Sequence, residues 1–178
     1  AQCNIGFSYY KTDIGIPYPG MKGDMLPDMI DECHKRGIKV VAYINVGLNH
    51  EYARKNYGNC RMNREGKVIY GDTSGNFFRA PCYNSAYGDY LLSIIAEIFE
   101  KCQPDGIFCD CMFNMGCWCN SCTEKMIAEG IDITDDSAVY EFQHRTMLDI
   151  SRKIKDLVPA GKLCYFNGMN WTEVENSH

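Results

Sequence analysis

The sequence has no long run of basic residues and no long run of apolar residues. No run of Lys and Arg is longer than a pair such as Lys35-Arg36, and the formal net charge is −5. Nucleic acids and anionic membranes attract clustered positive charge, so the sequence favours no nucleic acid and no membrane as a partner. The longest apolar stretches, residues 39–46 and 90–99, are far shorter than the about 20 residues that a membrane-spanning helix needs.

A glycine-rich phosphate loop is also absent. Gly15, Gly20 and Gly23 do not lie between a strand and the start of a helix, as a dinucleotide fingerprint requires. No histidine is spaced with a cysteine or serine as in a catalytic triad. The sequence therefore argues against a nucleotide cofactor and against a nucleophilic thiol or serine.

Cysteine, in contrast, is abundant, with 11 among 178 residues. An odd number cannot pair completely within one chain, and the fraction lies below the roughly 8–10% of disulfide scaffolds. Unpaired thiols are typical of a reducing compartment, which predicts a cytoplasmic location. The chain is 46% apolar and 23% charged, which is typical of a globular protein, and we treat residues 1–178 as one domain.

Helical and strand-like segments alternate along the chain. Apolar spacing predicts helices over residues 24–33, 85–99 and 135–157, and short apolar runs predict strands over residues 5–9, 39–46, 105–110 and 162–167. This alternation is typical of βαβ units with a parallel sheet, so the predicted fold class is α/β. An open doubly wound sheet and a (β/α)₈ TIM barrel both fit. Four strands are too few for a barrel of about 250 residues, so the second alternative implies a partial barrel.

The carboxyl ends of the predicted strands carry polar and aromatic residues. Both α/β architectures place their ligand-binding groups at this edge, and this mixture suits a hydroxylated ligand. The expected substrate-binding residues are Tyr9, Tyr10, Asn45, Asn84 and Asn167. Asp110 ends the strand over residues 105–110, where it is either a site carboxylate or a loop-capping group.

A long connection runs from Gly47 to Pro81 on the same side of the predicted sheet. Plain α/β units seldom need such a long connection unless it builds a site. Within it, residues 64–67 predict a small hairpin.

Three cysteines, Cys117, Cys119 and Cys122, follow one another within six residues. One soft dication could gather them, and a fourth ligand would complete a tetrahedral zinc site. Cys111 and Cys82 are the candidates for that ligand. An iron–sulfur cluster, a set of reduced thiols and disulfides remain alternatives. A site with four thiolates has no open position, so such a zinc would be structural.

Several segments resemble, in order, a family of glycosyl hydrolases related to α-L-fucosidases and zinc-containing β-galactosidases. The segments are Tyr9-Tyr10-Lys-Thr-Asp-Ile-Gly, Pro19-Gly-Met-Lys-Gly-Asp24-Met-Leu, Glu32-Cys-His-Lys-Arg-Gly-Ile38, Val41-Ala-Tyr43, Cys82-Tyr-Asn-Ser-Ala-Tyr87, Asp105-Gly-Ile-Phe-Cys-Asp110 and Cys117-Trp-Cys-Asn-Ser-Cys122. The resemblance implies a multi-domain protein with a catalytic (β/α)₈ barrel and a downstream trimerisation-like domain. The chain would be the N-terminal portion of that catalytic domain.

The resemblance also implies roles for individual residues. In zinc-containing β-galactosidases, a cysteine at the position of Cys82 joins a later Cys-x-Cys-x-x-Cys in one zinc site, which makes Cys82 the implied fourth ligand. The same enzymes carry an Asn-Glu pair, with the acid/base Glu, where this chain has Asp110-Cys111. An Asp at this position is the nucleophile of α-L-fucosidases, which implies that role for Asp110.

The partner carboxylate is not evident in the sequence. In the family, a segment with such residues follows the next strand, whereas this chain ends at Ser177-His178. We therefore expect the acid/base just beyond the last residue. Glu173 and Glu175 follow the last predicted strand, but a frayed terminal segment is the expectation there.

The sequence thus predicts a fragment of a retaining glycoside hydrolase that acts on carbohydrate and contains a structural zinc. Because a partial barrel leaves sheet edges uncovered, it should form a homo-oligomer or pack against the remainder of a longer chain. The alternative is a non-catalytic, zinc-stabilised carbohydrate-binding or assembly module, in which Tyr9, Tyr10 and Trp171 stack on sugar rings and Asp110 only forms hydrogen bonds.

Overall fold

The computed structural model describes residues 1–70 and 77–168. The strands are β1 (Phe7–Ser8), β2 (Ile16–Pro17), β3 (Val41–Asn45), β4 (Gly106–Asp110) and β5 (Leu163–Phe166). The helices are α1 (Met25–His34), α2 (His50–Lys55), α3 (Ala86–Cys102), α4 (Asn120–Ala128) and α5 (Asp136–Leu157), with a 3₁₀ turn at Tyr57–Asn59.

The three predicted long helices are confirmed as α1, α3 and α5, and their ends follow from local chemistry. The Ser85 side chain accepts the backbone N–H of Tyr87 before α3, and the Asp135 side chain accepts the N–H of Ser137 before α5. After α1, Gly37 adopts a φ of +70°, and the N–H of Ile38 reaches back to the carbonyl of Cys33 at 3.0 Å. Glycine tolerates this left-handed conformation without strain, so the helix stops there.

The central sheet is parallel, with the order β3-β4-β5. Asn45 pairs with Asp110 across β3 and β4, and Phe108 pairs with Tyr165 across β4 and β5. The helices between consecutive strands give the βα alternation that the sequence predicts. The mixed α/β class with parallel strands is therefore confirmed.

The first predicted strand differs from expectation. Within residues 5–9, only Phe7–Ser8 forms a strand, and β1 pairs with β2 rather than with the central sheet. Gln2 instead forms a bridge to Ile44 beside β3. Gly6, with a φ of +101°, turns the chain between these positions, and this backbone geometry is what separates β1 from the sheet.

The core lies between the central sheet and helices α1, α3 and α5. Ile44, Ile107 and Cys109 point to this side, and each is fully buried. Tyr43, Phe108 and Tyr165 alternate with them and point to the opposite side, where they are only half-buried or exposed. One sheet face is therefore packed against helices, and the other is incompletely covered.

The connection after β3 is more ordered than the sequence predicts. It contains α2 and the 3₁₀ turn, which the sequence analysis did not foresee. The hairpin around residues 64–67 is confirmed, because Met62 and Val68 form an antiparallel bridge around it. Within the described residues, no helix combines the length and the apolar character needed to cross a membrane.

Candidate functional site

Polar side chains from three neighbouring strands meet at the carboxyl edge of the central sheet. Asn45 ends β3, Asp110 ends β4, and the two are paired in register. Asn167 follows β5 directly and donates from Nδ2 to Asp110 Oδ1 at 2.6 Å. Three of the predicted site residues therefore lie together, because parallel strands bring their carboxyl ends to one edge.

The Asp110 carboxylate accepts two further hydrogen bonds. The Tyr43 hydroxyl donates to Oδ2 at 2.7 Å, and the backbone N–H of Cys111 donates to Oδ1 at 2.9 Å. Burial alone would raise the pKa of Asp110, but the hydrogen bonds from Tyr43, Asn167 and Cys111 outweigh it and lower that pKa below its ordinary value. Asp110 is thus an ionised carboxylate at neutral pH.

Tyr43, which the sequence analysis missed, also belongs to this candidate site. Burial, and next its hydrogen bond to Asp110, raise the pKa of the Tyr43 phenol. Asn45 Nδ2 lies 3.2 Å from the Tyr43 hydroxyl oxygen and 3.1 Å from Cys111 Sγ. Tyr43 precedes Asn45 by two positions in β3, and side chains two positions apart in a strand lie on the same face. This spacing could have predicted that Tyr43 lies beside Asn45.

Two predicted substrate-binding residues, Tyr10 and Asn84, lie elsewhere. Tyr10 is 0% exposed and donates its hydroxyl to Glu97 Oε2 at 2.8 Å, so its ring lies in the core and cannot stack on a sugar. Asn84 contacts the cysteine cluster instead of Asp110. Tyr9 is half-buried, and its ring stacks on Tyr18 with the centroids 5.3 Å apart. Trp171, Glu173 and Glu175 lie outside the described residues.

A second site is formed by Cys82, Cys117, Cys119 and Cys122. All four are 0% exposed, and their Sγ atoms lie within 4.8 Å of one another. The Cys82 Sγ is 3.3 Å from that of Cys122 and 3.9 Å from that of Cys117. Zn–S bonds of about 2.3 Å in a tetrahedron place the sulfurs about 3.8 Å apart. These four buried cysteines could therefore hold a metal ion.

The polar groups around the cluster also fit a metal-bound thiolate. Asn84 Nδ2 and Gln143 Nε2 both donate to Cys122 Sγ, at 3.4 and 3.2 Å. Gln143 is itself buried. Two amide donors converging on one buried sulfur favour its ionised form, since a thiolate accepts hydrogen bonds more strongly than a thiol.

Three chain segments supply the four cysteines. Cys82 lies just before α3, Cys117 lies in the connection from β4 to α4, and Cys119 and Cys122 stand at the start of α4. Cys111 is not part of the cluster, since its Sγ accepts from Asn45 beside Asp110.

Arg61, which the sequence analysis also missed, connects two of these segments through hydrogen bonds. Its guanidinium is buried and donates to the carbonyl oxygens of Pro81, Phe113 and Met115 at 3.3, 3.2 and 3.5 Å. It also lies 4.9 Å from the centre of the Tyr83 ring. Two of its partners, Pro81 and Met115, lie just before Cys82 and Cys117. The sequence does not indicate this role, because Arg61 is one of several polar residues in a long connection.

The connection that carries Cys117 begins directly after Asp110, so one segment links the two sites. Its first residue, Cys111, has a φ of +64°. A Cβ atom added at Gly47 would lie 1.9 Å from the Cys111 carbonyl oxygen. Only glycine therefore fits at position 47, where the connection after β3 passes the residue that follows Asp110.

Comparison with solved structures shows the same fold in glycosidases. Alpha-L-fucosidase isoenzyme 2 from Paenibacillus thiaminolyticus matches 94% of this chain with a TM-score of 0.86 and 23% identity. An alpha-galactosidase from Thermus thermophilus matches 93% of this chain with a TM-score of 0.64 and 9% identity. A GH20 exo beta-N-acetylglucosaminidase from Vibrio harveyi matches 88% with a TM-score of 0.54 and 16% identity.

These matches cover only part of each solved structure. The chain spans 26% of the fucosidase, 31% of the alpha-galactosidase and 25% of the glucosaminidase. The chain therefore has the fold of part of a glycosidase barrel domain, as predicted.

Sequence comparisons identify the family. None of the curated proteins matches the chain. The family described as "Hypothetical glycosyl hydrolase 6" matches residues 1–111, which include β1 to β4 and Asp110. That match covers more than half of the 178 residues, and the chain therefore belongs to this glycosyl hydrolase family.

Proposed function

We propose that the chain is the N-terminal portion of a retaining glycoside hydrolase catalytic domain, with Asp110 as the nucleophile. The observation that carries this proposal is the ionised Asp110 carboxylate at the carboxyl edge of the central sheet, held by Tyr43, Asn167 and the Cys111 N–H. Membership of a glycosyl hydrolase family and the glycosidase fold support a carbohydrate substrate.

In the proposed reaction, a carboxylate oxygen of Asp110 attacks the anomeric carbon, and the glycosidic C–O bond breaks. The bonding electron pair goes to the leaving oxygen, which takes a proton from a carboxylic acid about 5–5.5 Å away. Water then displaces the sugar from Asp110, with that second group as base. We propose that the acid/base belongs to another part of the barrel. Asn167 orients Asp110 through a direct hydrogen bond, whereas Asn45 is buried and contacts Tyr43 instead of the substrate.

A structural zinc is part of the proposal. Cys82, Cys117, Cys119 and Cys122 would hold it through four thiolates, with no open position for substrate. Its role would be to hold the connection between Asp110 and α4 in one conformation, and thereby to hold the residues next to Asp110 in place. The free cysteines support a reducing, cytoplasmic location.

A non-catalytic carbohydrate-binding or assembly module is the second candidate. It is favoured by the presence of a single carboxylate, Asp110, in the hydrogen-bonded group that the described residues form at the sheet edge. In that case Asp110 would bind a sugar hydroxyl without forming a bond to carbon.

Covalent trapping distinguishes the two functions. This chain, and any longer protein that contains it, is treated with 2-deoxy-2-fluoroglycosyl fluorides of fucose, galactose and glucose, and the labelled peptide is identified by mass spectrometry. We expect a label on Asp110, and we expect Asp110→Asn to lower aryl glycoside hydrolysis by at least about 10³-fold.

Asp105→Asn is the matched control, because Asp105 flanks the opposite end of the same strand, β4. It should keep both the label and the activity. Hydrolysis that survives Asp110→Asn undiminished, or a label on a different residue, would rule out Asp110 as the nucleophile. Sugar binding with neither label nor turnover would favour the non-catalytic module.

A further inference from the structure

We propose that Asn45 and Tyr43 form a hydrogen-bond relay that directs the Tyr43 hydroxyl hydrogen onto Asp110 Oδ2 and marks that oxygen as the attacking atom. The role of Oδ2 rests on the proposed function, whereas the direction of the relay does not. Tyr43 and Asn45 would then be positioning residues for Asp110.

The relay begins with the orientation of the Asn45 amide. Asn45 Oδ1 accepts the backbone N–H of Leu48 at 2.8 Å. A flipped amide would turn its own N–H groups against that donor, so the orientation is fixed. Asn45 Nδ2 must then face the Tyr43 hydroxyl and Cys111 Sγ, as observed.

The Asn45 amide in turn fixes the Tyr43 hydroxyl. Because Asn45 Nδ2 donates to the Tyr43 oxygen at 3.2 Å, the hydroxyl hydrogen cannot point back at the amide. It is directed to Asp110 Oδ2, 2.7 Å away, in a charge-assisted hydrogen bond.

The two oxygens of Asp110 then differ. Oδ1 accepts from Asn167 Nδ2 and from the Cys111 N–H, which together use both of its lone pairs. Among the described residues, Oδ2 accepts from the Tyr43 hydroxyl, and the Cys111 thiol also interacts with the carboxylate. Oδ1 is held by a backbone N–H and a side-chain amide, so Oδ2 is the oxygen that the proposal assigns to bond formation.

Tyr43 would also act in the second step of the proposed reaction. When water displaces the sugar, the C–Oδ2 bond breaks, its electron pair returns to Oδ2, and the proton of water goes to the acid/base group. Negative charge then builds up on the oxygen that the Tyr43 hydroxyl already faces. A donor placed where charge develops stabilises that transition state.

The charge state of Asp110 provides a test that requires no substrate. The titratable groups that contact its carboxylate in the described chain are Tyr43 from β3 and the adjoining Cys111. Tyr43 lowers the pKa of Asp110 by donating to its ionised form. Removal of that donor must therefore raise this pKa.

The experiment is a ¹³C NMR titration of the aspartate carboxyl groups in this chain, with the Asp110 signal assigned by its loss in Asp110→Asn. Tyr43→Phe should raise the pKa of Asp110 by about 0.5–1 unit. Asn45→Ala removes the amide donor to the Tyr43 hydroxyl without adding a charge beside Asp110. It should also raise the pKa of Asp110. Tyr165→Phe removes a hydroxyl from the same sheet face and should leave it unchanged.

An unchanged pKa of Asp110 in both folded variants, judged by circular dichroism, would overturn the relay. In an active enzyme, Tyr43→Phe should lower kcat and KM together, because slower release lets the glycosyl-enzyme accumulate. A lower kcat with an unchanged or raised KM would contradict the role in release. The titration can succeed even if trapping finds no label on Asp110, so failure of the relay and failure of the proposed function are separable.

Discussion

At the scale of single residues, Glu97 offers a direct test of how the N-terminal segment is anchored. It is 4% exposed and accepts the hydroxyls of Tyr10 and Thr12 and the backbone N–H of Asp13, at 2.8, 2.6 and 2.5 Å. Glu97→Gln should lower the free energy of unfolding by about 1–3 kcal/mol, because an amide N–H₂ replaces one acceptor oxygen. Urea denaturation measures the loss, and exposed Glu100→Gln on the same helix is the control.

The same carboxylate makes stability depend on pH. Burial would raise the pKa of Glu97, but hydrogen bonds from Thr12, Asp13 and Tyr10 lower it below the ordinary 4.5. A lowered pKa in the folded state stabilises the protein above the unfolded pKa, and the gain is lost as pH falls through the folded pKa. The wild type should therefore lose its advantage over Glu97→Gln on acidification. A constant difference from pH 7 to pH 3 would contradict this assignment.

The sequence predicted which side chains lie together at the ends of parallel strands, but it did not predict the direction in which a side chain points. Asp110, Asn45 and Asn167 meet because parallel strands end together. Tyr10 was assigned to the site from its place after a predicted strand, yet the turn there directs its ring into the core. Tyr43 was missed because an aromatic residue inside an apolar run is normally interpreted as a buried core residue.

At the scale of elements, the cysteine cluster joins the start of α3 to the start of α4. Cys82→Ser should remove most of the metal from protein purified without added metal, and it should lower the melting temperature, because the binding energy of a structural metal is partly folding energy. Elemental analysis measures the metal content, and thermal unfolding measures the stability.

Two further cysteines serve as controls for that substitution. Cys60 is as buried as Cys82 but lies outside the cluster, so Cys60→Ser separates loss of metal from the cost of burying a hydroxyl. Cys111→Ser should leave the metal in place. Metal that persists in Cys82→Ser but disappears in Cys111→Ser would show that the fourth ligand is Cys111.

The long helices and the three central strands were predictable because apolar spacing and helix-capping residues are local features of the sequence. The helices α1, α3 and α5 carry regular apolar spacing, and glycine or capping side chains mark their ends. Neither α2 nor the pairing of β1 with β2 was foreseen. Both are short, and tertiary hydrogen bonds, such as that from the N–H of His50 to the carbonyl of Asn4, hold α2 in place.

At the scale of the whole molecule, the incompletely covered sheet face is the surface through which we expect the chain to associate. Tyr165 on edge strand β5 is 48% exposed beside half-buried Phe108. The isolated chain should self-associate through this face, and Tyr165→Lys should shift it towards monomer in sedimentation velocity experiments. Tyr140→Lys on α5 changes an equally exposed tyrosine and should have little effect. Concentration-independent monomer in the wild type would contradict this prediction.

Arg61 places a positive charge in the interior of the protein, and a nearby negative charge is needed to balance it. Arg61 is 4% exposed, and in the described chain its hydrogen-bond partners are uncharged carbonyl groups. Four thiolates around a divalent cation carry a net charge of roughly −2. Arg61 lies beside the residues that precede two of the cysteines and would supply part of the compensating charge if the cluster binds such a cation. Chelation that reprotonates the thiols would leave this cation without a counter-charge, so water should enter around Arg61 and the cluster together.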